Sequence, residues 1–67
     1  MMQISLNGES CAVAPETCVA TLLQQHGYAQ KRVAVELNGE IVPRSQHSER
    51  QLREGDRVEI VQAIGGG

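Results

Sequence analysis

Apolar and polar residues alternate in three stretches of the chain, and a period of two predicts β-strands. The three stretches are residues 2–7, 33–38 and 57–64. In the last stretch Val58 and Ile60 are expected to face the core, which favours a central position in a sheet. Val61 and Ala63 lie on the other face of that strand, where they are either partly exposed or covered by a partner.

Two Asn-Gly dipeptides indicate where the chain turns back on itself. They are Asn7-Gly8 and Asn38-Gly39. A type I′ hairpin turn needs positive φ at both central positions, which asparagine and glycine adopt more readily than other residues. We therefore expect hairpins that continue into strands at residues 10–14 and 40–42. Pro43 has no N–H to donate to a sheet and should end the second of these strands.

The spacing of apolar residues changes to three and four after the first hairpin. Val19, Leu22 and Leu23 form the stripe that is typical of one buried helix face. Thr17 is the expected N-cap, and Gly27 is the expected left-handed residue just after the helix. The pattern predicts one helix of about two to three turns.

The element order is strand, strand, helix, strand, short strand, loop and strand, and it predicts an α+β fold. The loop, residues 45–53, should run over the surface and be held to the core by Leu52. One helix covers only one face of a sheet, and connection rules favour parallel pairing of the first and last strands. We therefore predict a β-grasp, or ubiquitin-like, roll, in which one main helix packs on a mixed four- to five-stranded sheet. Residues 1–64 would form this domain, and residues 65–67 a flexible C-terminal glycine tail.

Composition limits what the chain can bind. With 67 residues, no Trp, no Phe and Tyr28 as the one aromatic residue, the core must be built from aliphatic side chains. The formal net charge of -2 shows no basic excess of the kind that nucleic-acid binding needs. No apolar run approaches the roughly 20 residues of a membrane span, and the first residues lack a signal-peptide pattern. We therefore expect a cytoplasmic protein that binds neither nucleic acid nor membrane.

The two cysteines and two histidines show no spacing that is typical of a metal site. Cys11 and Cys18 are too few for a disulfide framework, so we expect small structural side chains, with a redox or sulfur-relay role as the alternative. His26 is expected near the helix C-terminus, and His47 alone in a polar loop. A nucleophilic Cys-His pair stays open, although no local motif supports it. We predict no metal site and no catalytic residue.

The chain ends in three glycines directly after the last predicted strand. They are Gly65, Gly66 and Gly67. Glycine loses much conformational entropy when it is fixed, so this segment is expected to project as a mobile tail. A tail without side chains can thread a narrow channel and present the carboxylate of Gly67 to a nucleotide. The alternative is a tail without function.

Three segments carry a family resemblance. They read VELNGEIVPR at residues 35–44, LREGDRVEIV at residues 52–61 and AIGGG at residues 63–67. Together they resemble the ThiS family of sulfur carriers in thiamin biosynthesis. The resemblance covers nearly the whole chain, and NGEIVPR is its most particular part.

This resemblance implies a reaction cycle at the C-terminus. An adenylyltransferase of the ubiquitin-activating type would use ATP and Mg²⁺ to adenylate Gly67. A cysteine desulfurase route would supply sulfur for a thiocarboxylate, and thiazole synthase would accept that sulfur. Gly65 and Gly66 would thread the active sites of these partners. The chain would be a protein cosubstrate with no bound cofactor, not an enzyme.

A carrier must also dock on its enzymes through the folded domain. The candidate docking residues are Arg44, Val61 and Ala63, with Arg44 exposed to solvent. Three further arginines, Arg50, Arg53 and Arg57, are interpreted as a solvated charged face.

Three other functions are compatible with the same features. A carrier for molybdopterin synthesis would share the fold, the tail and the activation chemistry. A protein-conjugating ubiquitin-like modifier would instead join its C-terminus to lysine side chains. A β-grasp interaction module would have an inert tail.

Overall fold

The computed structural model describes residues 1–29 and 31–62. The strands are β1 (Met2–Leu6), β2 (Glu9–Val13), β3 (Val33–Leu37), β4 (Glu40–Ile41) and β5 (Arg57–Gln62), and the helix is α1 (Val19–Gln25). A short 3₁₀ turn covers Arg44–Gln46. Each predicted strand and the predicted helix are therefore present. The predicted division at residue 64, and the tail itself, lie outside the described residues.

The five strands form one mixed sheet in the order β2-β1-β5-β3-β4. β1 and β5 are parallel, while the other neighbouring strands are antiparallel. The last strand is therefore central, as its alternation predicted. Together with the helix on one face, this topology confirms the β-grasp fold.

The core lies between the helix and one face of the sheet. Eleven buried residues form it, and all are aliphatic: Ile4, Val13, Val19, Leu22, Leu23, Val35, Leu37, Val42, Leu52, Val58 and Ile60. Tyr28 is only partly buried against this cluster. Since α1 packs on the core face, no helix within residues 1–29 and 31–62 covers the other face of the sheet.

Both Asn-Gly turns adopt the predicted conformation, with φ of 51° and 85° at Asn7 and Gly8. The Asn7 side chain has an additional role, because its Oδ1 accepts a 2.7 Å hydrogen bond from the Ile60 N–H in β5. At the second turn, Asn38 Oδ1 accepts a 2.9 Å bond from the Arg57 N–H. The two turns thus hold the central strand from both sides.

Replacing Asn7 by alanine should test this contact. Asn7→Ala removes the acceptor for the Ile60 N–H, and we expect a loss of about 1–3 kcal/mol in the free energy of unfolding, measured with urea. Asn7→Asp keeps an acceptor oxygen and tolerates positive φ, so it should stay within about 1 kcal/mol of the parent. Equal stability of the alanine variant and the parent would show that this bond contributes nothing.

The predicted N-cap at Thr17 is wrong, because the cap position is Cys18, which makes no side-chain capping bond. The first helical N–H groups instead donate to loop carbonyls, Val19 to Arg50 at 2.9 Å and Ala20 to His47 at 2.8 Å. Donors at a helix start need some acceptor, and here the loop supplies it. Thr17 is buried and its Oγ1 donates to the Ala14 carbonyl at 2.7 Å, closing the preceding turn.

The helix ends as predicted at Gly27, whose φ is +82°. The Gly27 N–H donates to the Gln24 carbonyl, and the Tyr28 N–H donates to the Leu23 carbonyl at 2.8 Å. This pair of bonds is the Schellman motif.

The loop after β4 follows the predicted surface path and is held by Leu52, which is 3 % exposed. His47 lies in this loop, as expected from the sequence, but its side chain is buried. Its Nε2 donates to the Val42 carbonyl at 3.1 Å. The 3₁₀ turn causes this, because it directs the chain back onto the core.

Candidate functional site

The site of interest is the end of the sheet from which β5 leads towards the glycine tail. Gln62, the last described residue, pairs with Val33 at the start of β3. Ala63, Gly65, Gly66 and Gly67 lie outside the described residues, so their predicted roles stay predictions. The described domain nevertheless defines the surface beside the start of this tail.

Register places Val61 on the open face of the sheet. The pairs Val35–Ile60 and Leu37–Val58 are buried against the helix, so the alternate pair Ala34–Val61 faces the other way. Val61 is 57 % exposed. A large apolar side chain therefore lies uncovered on the strand that carries the tail.

A second exposed apolar side chain lies on the same face. Ile41, on the edge strand β4, is 61 % exposed and pairs with Glu36. Glu36 in turn lies opposite Glu59. Scattered apolar residues are normal on protein surfaces, but these two flank a pair of carboxylates on a sheet face that no helix or strand of the described residues covers. This arrangement can hold a partner through mixed apolar and ionic contacts.

Arg44 is exposed, as predicted. It lies on the 3₁₀ turn and lines a cleft with Val33 and Ala34. Since Ala34 pairs with Val61, this cleft and Val61 lie at the same end of the sheet.

Cys11 and His26 come together in the structure although sequence analysis gave each a separate role. Cys11 Sγ in β2 lies 3.8 Å from His26 Nε2 at the end of the helix. No local signal predicts this contact, because it depends on how the first hairpin packs against the helix. Within residues 1–29 and 31–62, no group of three or more His, Cys, Asp or Glu side chains is arranged to hold a metal ion.

The Cys18 thiol lies beside a hydroxyl group at the start of the helix. The hydroxyl of Thr21, 3.3 Å from Cys18 Sγ, lowers the pKa of Cys18 below its ordinary value, helped by backbone N–H groups of the first helical turn. Hydrogen bonds to sulfur favour the charged thiolate, which is the reactive form.

Thr21→Val should therefore raise the pKa of Cys18. In a Cys11→Ser background, the iodoacetamide alkylation rate of Cys18 should rise with pH at a midpoint below that of an ordinary thiol. The valine variant should shift this midpoint upward. Identical pH profiles with and without the Thr21 hydroxyl would contradict the assignment.

No helix in the described part of the chain is long and apolar enough to cross a membrane.

Comparison with known proteins identifies the family. The ThiS family model matches residues 4–67. The chain belongs to the ThiS family. Within this family, it is 35 % identical over 66 residues to the sulfur carrier protein ThiS of Escherichia coli strain K12, covering 98 % of this chain and 100 % of that protein. The crystal structure of the thiamine biosynthesis protein ThiS from Geobacter metallireducens matches with a TM-score of 0.85 and 36 % identity, covering 98 % of this chain and 100 % of that one.

A longer relative aligns with the ThiS-family chain as well. Over 66 residues the chain is 41 % identical to the thiazole synthase of Paramagnetospirillum magneticum. The alignment covers 98 % of this chain but only 20 % of that protein, so the chain spans about a fifth of the length of this relative.

Proposed function

We propose that this ThiS-family chain is a sulfur carrier for thiazole formation in thiamin biosynthesis. The observation that carries the proposal is the match with the Escherichia coli sulfur carrier, which covers essentially all of both chains. The names of the similar proteins refer to thiamin and thiazole, which favours this pathway over molybdopterin synthesis.

The chemistry takes place on the Gly67 carboxylate. A carboxylate is a poor electrophile, because its negative charge repels nucleophiles and oxide is a poor leaving group. Adenylation by ATP, with Mg²⁺ on the activating enzyme, replaces that leaving group with AMP and releases pyrophosphate. The outer sulfur of a persulfide from the desulfurase route then attacks the acyl carbon and expels AMP, which gives an acyl disulfide. A thiol such as cysteine cleaves the S–S bond of this intermediate, so that the tail keeps one sulfur as a thiocarboxylate and the thiol is oxidised to a disulfide. The chain is the cosubstrate in each step.

The partners follow from this cycle. An adenylyltransferase activates Gly67, and a cysteine desulfurase route supplies the sulfur. Thiazole synthase accepts the sulfur, and the alignment with part of a thiazole synthase supports this pairing. If a carrier and a synthase were joined in one polypeptide, the effective concentration of the carrier at the synthase would rise. We place this cycle in the cytoplasm, where ATP is available.

The open sheet face is the proposed docking surface for these enzymes, with Val61 as its apolar contact beside the tail. Ala63, two residues further along the sequence, is proposed as a second apolar contact of the same partners. Gly65 and Gly66 allow close approach of the enzyme backbone, since glycine has no Cβ.

Intact-mass spectrometry tests the proposal. The chain is incubated with ATP, Mg²⁺, the adenylyltransferase, a cysteine desulfurase and cysteine. The expected result is a mass increase equal to the difference between one sulfur and one oxygen atom. Adding thiazole synthase with its other substrates should restore the original mass.

Genetic complementation provides the pathway control. The chain should restore growth of a thiamin-requiring strain that lacks its sulfur carrier, and it should fail in a strain lacking the molybdopterin carrier. The opposite pattern, or isopeptide adducts on lysine in place of the mass change, would overturn the proposal.

A further inference from the structure

A cleft of about 340 Å³ opens at the end of the sheet at which the described part of β5 ends. Leu23 and the partly buried Tyr28 form part of its wall. Val33 and Ala34 also line it, and these residues pair with Gln62 and Val61 of β5. The cleft is therefore adjacent to the last described residues of β5.

The charge of this cleft is opposite to that of the whole chain. Lys31, Arg32 and Arg44 line it, which is half of the six Lys and Arg residues in the sequence. Among the described residues that form its wall, none is acidic. The chain as a whole carries a formal net charge of -2. A local concentration of positive charge on an acidic protein is suited to attract a negatively charged group.

The donors in the cleft fit several separated carboxylates better than one compact phosphate. All three cationic side chains are exposed and extend from the loop before β3 or from the 3₁₀ turn. Compact phosphate sites commonly use free backbone N–H groups. Here the Lys31 N–H already donates to the Tyr28 carbonyl at 3.0 Å. His47, deeper in the wall, uses its Nε2 proton on the Val42 carbonyl.

We infer that this basic cleft, defined by Lys31, Arg32 and Arg44, docks an acidic segment on the surface of the enzyme that adenylates the tail. The inference rests on the proposed function. Its location fits, because an enzyme that acts on the tail must approach this end of the sheet. A carrier must bind its enzyme again in every cycle, so a high association rate is useful. Charges at the rim of an interface raise the association rate more than they lower the dissociation rate.

Binding measurements with charge-reversed variants test the inference. The test variant is Arg32→Glu/Arg44→Glu. The matched control is Arg50→Glu/Arg53→Glu, which changes net charge equally at a second cleft that contains Glu49 and Asp56. All four arginines are exposed, so both variants should fold, which thermal melting can verify.

Calorimetric titration with the adenylyltransferase should give a Kd for the cleft variant that is at least about tenfold higher than the Kd of the parent. The Kd of the control variant should lie within about threefold of the parent value.

Raising ionic strength from about 0.01 to about 0.15 M, which shortens the Debye length from about 30 to about 8 Å, should weaken binding of the parent more than binding of the cleft variant. Lys31→Glu alone should give an intermediate Kd. In NMR spectra of the parent, the enzyme should shift the amide signals of residues 31–34 and 44–47.

Each contrary result has a distinct meaning. Equal Kd values for parent and cleft variant would overturn the docking inference and leave the sulfur-carrier function intact. Tight binding of the parent without thiocarboxylate formation would overturn the proposed function, whereas absence of binding would overturn both. Inorganic phosphate or AMP that saturates the cleft signals and displaces the enzyme would identify a small-anion site and refute the acidic-segment assignment.

Discussion

Deleting Gly67 is expected to abolish thiocarboxylate formation. The deletion moves the terminal carboxylate to Gly66, one residue short of the position at which the activating enzyme would meet it. Misplacement by about 1 Å can slow a positioned reaction about a hundredfold, and one residue spans about 3.3–3.6 Å of extended chain. Intact-mass spectrometry after incubation with ATP, adenylyltransferase and sulfur source measures the outcome.

Gly66→Val is the matched variant, because it keeps the length of the chain and the Gly67 carboxylate but adds a branched side chain to the tail. It should slow the conversion by about a hundredfold if close backbone approach matters. The melting temperature of both variants should equal that of the parent. Full conversion of the shortened chain would refute the role of Gly67.

Leu22→Ala is expected to remove a large part, about half, of the free energy of unfolding of the domain. Leu22 is fully buried at the centre of the helix stripe, and its truncation removes apolar contacts and leaves a cavity. Such changes cost about 2–5 kcal/mol. A domain of this length has a total stability of about 3–10 kcal/mol, from about 0.05–0.15 kcal/mol per residue. Urea unfolding followed by circular dichroism gives the change.

Ile41→Ala removes a side chain of the same size from the surface and serves as the control. Ile41 is 61 % exposed, so its truncation should cost no more than about 1 kcal/mol. If the two variants lost equal stability, the helix would not be anchored to the sheet through Leu22.

Strand positions and topology were predictable because each depends on a local pattern. Alternation marked β1, β3 and β5, and the Asn-Gly turns set both hairpins. The apolar residues Val58 and Ile60 on one face of β5 indicated its central position. The side-chain bond from Asn7 to Ile60 was not foreseen, because 53 positions separate the two residues and only the folded sheet brings them together.

The start of the helix could not be predicted because a distant loop replaces the usual local cap. Thr17 has the residue type of an N-cap, but carbonyls of His47 and Arg50 accept the helical N–H groups. The same loop buries His47. Tertiary contacts therefore overrode a local preference at both places.

The candidate site was only partly accessible to sequence reasoning. The glycine tail is a pattern in the sequence, and Val61 followed from its place in the alternation. The basic cleft was not foreseen, because the helix end, the loop before β3 and the 3₁₀ turn form it jointly. The contact between Cys11 and His26 was missed for the same reason.

The central position of β5 has a consequence for biosynthesis. The ribosome synthesises β5 after the other four strands. Until β5 emerges, β1 and β3 of the nascent chain lack the strand that lies between them in the folded sheet. A product that terminates early stays open to proteases, which act on unfolded polypeptide. Truncated copies are therefore expected to be degraded before they could compete with the full chain.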